Sequence, residues 1–299
     1  MTAVGRPATG APEAVAATGR LDWEVDRAPL VRRRRQRALV QLACAAISVF
    51  MVLPVYLIAL AAFSSRQSLN AFPKAFLPRG LSTDTMRAFL GATGVVPSFV
   101  NSLAVGLLTV LVALLVGAPA GYALARYAFR GHDAYQLFLL VTRALPVVVL
   151  SVPLAKMFIQ VDLSDTILGV ALLHTALALP TAILVVASVF VSVPRDVEEA
   201  ALVFGCSPLG AFRRVVIPLA LPGIAASSIF TFVLSWNEVL GAAVLTLSNR
   251  TLPAQVFASL SYSPLAYRFA GGFALTVPAL LFLLFMRRYL GNMWGATLR

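Results

Sequence analysis

Residues 193–222 read VPRDVEEAALVFGCSPLGAFRRVVIPLALP, and this is the one interior stretch that is both charged and patterned as helix. Long apolar runs flank it on both sides. Val197, Ala200, Ala201 and Phe204 fall at i, i+3, i+4 and i+7, one face of an α-helix. Arg195, Asp196, Glu198 and Glu199 surround that face. Pro194 suits a first helical position, where no amide donor is needed, and the two glutamates lie near the positive end of the helix dipole. Gly205 permits a backbone turn that a side chain resists. Ser207-Pro208 then restarts a helix as cap and first residue, with Leu209, Phe212 and Val216 on one side and Arg213 and Arg214 on the other. Pro218 and Pro222 are expected to close the unit. Two short helices joined at a glycine, held between apolar runs, have the form of a docking element.

The composition says what those runs are. The 299 residues are 60% hydrophobic and 12% charged, with mean hydropathy +0.87, which excludes an ordinary soluble domain and predicts a polytopic membrane protein. The formal charge of +12 is no nucleic-acid signature, because the arginines cluster at the ends of apolar runs, where they orient membrane spans. Cys44 and Cys206 lie in different settings and make neither a disulfide framework nor a metal cluster, and His132 and His174 have no metal motif around them. A G-x-x-x-x-G-K-[ST] loop is absent, so no nucleotide site is expected. Catalytic signatures are also missing: no nucleophile elbow, no H-E-x-x-H, no paired intramembrane aspartates.

A membrane helix needs roughly 20 mainly apolar residues. Six segments qualify, at 38–63, 98–122, 135–158, 166–191, 221–247 and 267–286. The fold class expected is therefore all-α with six transmembrane helices. Residues 1–36, rich in Ala, Gly, Pro and Arg, read as a mostly disordered cytoplasmic tail, and 37–299 as the membrane domain. The run Arg32 to Arg35 with Arg37 precedes a first apolar segment too long for a signal core, so that span is read as retained, with the N-terminus in the cytoplasm. Six spans return the C-terminus to the same side. Residues 64–97 form an outer loop, and 193–220 a cytoplasmic one.

Polar groups inside spans are expensive and are functional candidates by default. Arg143 is followed by Pro146 and Pro153, which free backbone carbonyls as a water-lined cavity would tolerate; the alternative is an arginine that snorkels or anchors packing. His174 reads as a hydrogen-bonded packing residue, and Asn101-Ser102 as interhelical glue. Ser235-Trp236-Asn237-Glu238 is the densest polar group in any span. Trp236 offers a face for a sugar ring, with Asn237 and Glu238 to bond its hydroxyls. Equally, these residues bond neighbouring helices or gate the pathway.

The charged stretch resembles the EAA loop of bacterial ABC importer permeases. Glu199-Ala200-Ala201, Gly205, and Val215, Ile217 and Pro218 occupy the family positions, while Phe204 and Cys206 stand where the family has an acidic or polar residue and alanine. Phe99-x-Asn101-Ser102-Leu103, the run 121–126 (GYALAR), Ser235 to Glu238, and Arg287-Arg288-Tyr289 resemble the carbohydrate-uptake branch, in particular its maltose-type second permease. The resemblance covers the chain from about residue 38 and leaves the tail outside. It implies a type I ABC importer permease fold in a bacterial inner membrane. It also implies a second homologous permease, two cytoplasmic ATPase subunits that hold the ATP and Mg, and an extracytoplasmic sugar-binding protein, with no cofactor on this chain. Glu198, Glu199, Ala200, Ala201, Phe204, Gly205 and Pro218 are the coupling residues it implies. The alternatives are an ABC permease for a non-sugar solute, or an ATP-independent secondary transporter, which tends to show inverted repeats.

Overall fold

The computed structural model describes residues 28–72, 76–78, 80–259 and 262–295, with backbone alone for 28–35, 66 and 286–295. Thirteen helices follow in order: α1 (Ala28–Ala62), α2 (Arg66–Asn70), α3 (Asp84–Leu90), α4 (Val95–Arg126), α5 (His132–Thr142), α6 (Val147–Gln160), α7 (Ile167–Ser192), α8 (Arg195–Val203), α9 (Pro208–Ala211), α10 (Ile217–Asn237), α11 (Leu240–Leu245), α12 (Leu252–Ser259) and α13 (Leu265–Gly295). A π-helical turn, Phe212–Val216, joins α9 to α10. The described residues hold no strand beyond one isolated bridge between Ser64 and Leu81. Two units divide at residues 53 and 54, within α1. In the first, helix already runs through residues 28–36, where the sequence reads as tail, and residues 36–53 are exposed; residues 1–27, Trp23 among them, lie outside the described residues. The second unit is Pro54–Arg299.

The centre of that unit is α4 against α7. Ser102, Gly106, Ala113, Gly117 and Gly121 recur at four-residue or near-helical spacing and are buried along one side of α4. Small residues let two backbones approach, which is how helices associate where lipid supplies no hydrophobic drive. At Gly121 a Cβ would lie 3.0 Å from both the Ala187 nitrogen and the Ile183 oxygen, so the contact there is with backbone. α10 joins this pair, its Phe232 ring lying over Gly106, and α13 closes on α10. The Asn101 and Ser102 side chains do bind across the fold, to the segment leading into α12: Asn101 Nδ2 donates to the Arg250 carbonyl (3.2 Å), and Ser102 Oγ accepts from the Leu252 amide (2.7 Å).

Among the described residues, five single helices are long and apolar enough to cross a membrane, at Gln36–Ala62, Val95–Arg126, Ile167–Ser192, Pro208–Asn237 and Leu265–Phe285. The expected third span differs: α5 and α6 meet at a bend of 90° and make a sixth span only if taken together. Pro146 is the physical reason, since it lacks an amide and pushes Leu145 away from helical geometry. The expected fifth span also divides. α10 stops at Asn237, Glu238 turns extended (φ −75, ψ 123), and α11 starts afresh. Conversely, Pro218 and Pro222 do not close the charged unit, because the helix passes through both and on into the membrane. The π-turn accommodates this: the Ile217 amide bonds back to the Phe212 carbonyl, a wider ring that absorbs the register change before a residue with no donor.

Gly121→Val should force α4 off the α7 backbone and lower stability by about 1–3 kcal/mol, as overpacking does. The check is a thermal melt of the purified protein; an unchanged melting temperature would remove the close-approach argument.

Candidate functional site

The charged stretch forms two short helices as its caps require. Gly205 takes φ +91, its amide bonds to the Leu202 carbonyl (3.0 Å) and the Cys206 amide to the Ala201 carbonyl (3.0 Å). That pair of bonds is a Schellman ending of α8. Ser207 Oγ accepts from the Gly210 amide (3.1 Å) and starts α9, with Pro208 at its first position. Pro194 is the cap of α8 rather than its first residue.

The outer corner of this element is apolar and bare. Val203 and Phe204 are 85% and 88% exposed, Leu209 is exposed beside them, and Val197 and Ala200 are exposed on α8. Glu199 is also exposed, while Ala201 is half-buried. The neighbouring Glu198 points the other way. Tyr122 Oη donates to Glu198 Oε1, and Arg126 Nε lies 2.9 Å from Glu198 Oε2. The Nε–H is not aimed at that oxygen, so the contact is ionic rather than a well-formed hydrogen bond. Arg126 Nη2 donates to the Val193 carbonyl (2.9 Å). Tyr122 itself packs edge-on to Phe190 and tilted against Phe212, beside Val186, Val193 and Val216. Tyr122 and Arg126 enter the sequence reading only as part of the run 121–126; no local signal pairs them with a carboxylate some 70 positions away.

Inside the membrane the placements are uneven. Arg143 lies in the bend between α5 and α6, exposed, at a cavity of about 380 Å³ lined also by Thr142, Leu154, Leu177, Thr181 and Leu234. Thr181 is buried there, and its hydroxyl has no partner. The stacking role expected of Trp236 is corrected. Its ring is 1% exposed, stacked on Phe232 and edge-on to Phe99, and Nε1 donates to the Leu275 carbonyl (2.9 Å). No ring face is left for a sugar. Glu238 is likewise committed to the fold: Oε1 accepts from the Gly241 amide (2.8 Å), and Oε2 from the Ala242 amide (3.0 Å) and His174 Nε2 (3.1 Å). His174, fully buried, meets Ser235 Oγ through Nδ1 (2.8 Å), which makes it the packing residue it reads as. Asn237 is exposed, its Nδ2 donating to the Val233 carbonyl (2.9 Å).

A second anchor lies between α6 and α7, where Asp165 adopts φ +56. Its Oδ1 accepts from the amides of Leu247 (2.9 Å), Ser248 (3.0 Å) and Asn249 (2.9 Å), and Asn249 Nδ2 donates to the Asp165 carbonyl (2.8 Å). Burial alone would raise the carboxyl pKa, but these amides outweigh it and hold it below the ordinary value.

A family model described as the inner membrane component of binding-protein-dependent transport systems matches residues 113–292. The chain is 31% identical over 230 residues to the trehalose transport system permease protein SugB of Mycobacterium tuberculosis (strain CDC 1551 / Oshkosh), covering 75% of this chain and 84% of that one. It is 30% identical over 259 residues to the diacetylchitobiose uptake system permease protein NgcG of Streptomyces coelicolor (strain ATCC BAA-471 / A3(2) / M145), covering 84% and 85%. Among solved structures, a chain of a bacterial ABC transporter involved in importing the acidic polysaccharide alginate superimposes with TM-score 0.67 at 20% identity, covering 86% of this chain and 98% of that one. That likeness is one of fold.

Two outcomes follow from these placements. Glu238→Ala, which strands His174 and two α11 amides, should lower the melting point of the purified protein by an amount equivalent to about 1–3 kcal/mol, whereas Asn237→Ala should leave it unchanged. Because the folded pKa of Asp165 is depressed, its clamp is at full strength at neutral pH and is lost as pH falls below about 3.9 through that folded value. Melting points of wild type and Asp165→Asn should therefore differ at pH 7 and converge in acid; parallel curves would dismiss the clamp.

Proposed function

The chain belongs to the inner-membrane components of binding-protein-dependent transport systems, and on that premise we propose that it is one permease subunit of an ATP-driven importer of a saccharide: an oligosaccharide, a disaccharide or a sugar alcohol. The observation that carries the coupling half of this reading is the bare apolar corner of Val203, Phe204 and Leu209. Exposed apolar surface of that kind is an interaction site. It stands on a capped two-helix element whose second half continues as a single helix into a span. A partner that grips the corner therefore moves the span directly. Two cytoplasmic ATPase subunits supply that grip, one on this chain and one on a homologous permease, and they hold the ATP and Mg; this chain holds no cofactor. An extracytoplasmic sugar-binding protein delivers the solute.

On this reading the protein lies in the bacterial inner membrane with both termini in the cytoplasm, which the arginine run ahead of the first span supports. Glu199, Ala200, Phe204 and Gly205 act at the ATPase contact, Glu198 and Ala201 on its inner side, and Pro218 within the helix that carries motion onward. Transport follows as alternating access, a rigid-body switch of the permease pair.

The saccharide assignment is supported by relatives named for trehalose and diacetylchitobiose uptake. The segment Ser235 to Glu238 lends it no weight, since Trp236 and Glu238 are committed to packing. Arg143 and the partnerless Thr181 hydroxyl are the groups on this chain suited to line the pathway, together with the exposed Asn237.

Gly205→Asp tests the coupling. An aspartate cannot hold φ +91 without strain, though open space surrounds the position. In vesicles reconstituted with the partner subunits, uptake should be abolished while membrane insertion persists. Uptake in step with ATP hydrolysis at the wild-type ratio would contradict the assignment.

A further inference from the structure

α8 is held in an unusual way for an element that must transmit force. None of its side chains is fully buried, and it is bounded by the extended Pro194 and by Gly205, the residue whose backbone geometry is left-handed. α9 needs no such support, because its backbone continues through the π-turn into α10. Yet both halves of the element have to follow the ATPase together if the stroke is to reach more than one span. We propose that Tyr122 and Arg126 are positioning residues that latch α8 to α4 through Glu198, so that the docking element and α4 move as one body. This rests on the reading that residues 195–214 dock on an ATPase.

Three contacts make the latch. The Tyr122 hydroxyl takes one carboxylate oxygen of Glu198, the Arg126 guanidinium faces the other at 2.9 Å, and its second arm holds the Val193 carbonyl just ahead of α8. The Arg126 and Glu198 side chains are 7% and 14% exposed, so salt and water screen the pair little. Arg126 is the last residue of α4, and α4 lies along α7 over most of its length. A displacement of α8 therefore reaches the central helix pair by a route separate from the α9–α10 backbone. The two adjacent glutamates divide the work. Glu198 binds inward, and the exposed Glu199 remains available to the ATPase.

The test uses the whole importer in nanodiscs, with Cys44→Ser and Cys206→Ser and nitroxide labels at Asp196 on α8 and Arg130 beyond α4. In the otherwise wild-type complex the label distance should be single, narrow and the same without nucleotide and after trapping with ATP and vanadate. Glu198→Gln should broaden it and raise several-fold the ATP consumed per conversion to the outward-facing state. The exchanged pair R126E with E198R should recover most of that coupling. A wild-type distance that changes on trapping overturns the latch, as does Glu198→Gln with an unaltered distance and unaltered coupling. If Glu198→Gln does not assemble, the wild-type distances decide alone, with Tyr122→Phe as the milder variant expected to broaden the distribution. Failure of residues 195–214 to crosslink to the ATPase would instead remove the docking reading, and the distance between α4 and α8 would still report on the latch.

Discussion

The close contact of α4 with α7 is the constraint on which the rest of this structure depends. Lipid tails are as apolar as leucine, so nothing expels the apolar faces of two spans from their solvent, and packing has to be won by fit. Gly121 supplies that fit where the two backbones meet, and Gly106 does so for the Phe232 ring of α10. Once α4 and α7 are in register, the polar positions along them come opposite their partners. Thr109 and Ser235 fall beside each other, and His174 comes within reach of Glu238. At the other end of the same helices Tyr122 and Arg126 meet Glu198. The polar contacts presuppose the small residues.

Much of this was legible in the sequence wherever a local rule applies. Apolar length placed four spans close to their observed bounds, at α1, α4, α7 and α13. The glycine turn at Gly205 and the serine cap at Ser207 were readable because caps act within a few residues. Prolines were the weak point. Pro119 and Pro180 lie inside continuous helices, whereas Pro146 stands at a 90° bend. A proline removes one bond in every case, and the neighbours decide whether the helix goes on. Those neighbours are remote in sequence. Pro218 makes the same point in reverse, since a π-turn absorbs what looked like a stop.

The polar cluster at Ser235 to Glu238 leaves two roles open in the sequence for a related reason. Density of polar residues in a span says that they matter, and leaves open whether they face a solute or each other. The answer lies in partners 39 to 64 positions away: Leu275 for Trp236, and His174 for Ser235 and Glu238. Each bond satisfies a group that would otherwise be stranded in a low-dielectric interior, where an unmet donor or acceptor is most damaging. The segment thereby fixes the break between α10 and α11, because the Glu238 carboxylate caps the new helix it has just interrupted.

Satisfied and unsatisfied polar groups thus divide this protein into two kinds of region. The Glu238 network has its donors and acceptors matched, and it holds helix ends in one arrangement. Around the bend of α5 and α6 the balance is different. Arg143 is exposed and the Thr181 hydroxyl is buried without a partner, in a cavity whose walls are mostly leucine. The leucine walls offer the buried Thr181 hydroxyl no partner. The bare corner at Val203 and Phe204 is the apolar counterpart: large side chains left uncovered at the turn between α8 and α9. On the proposed reading these are two kinds of incompleteness, one offered to the cargo and one to the motor.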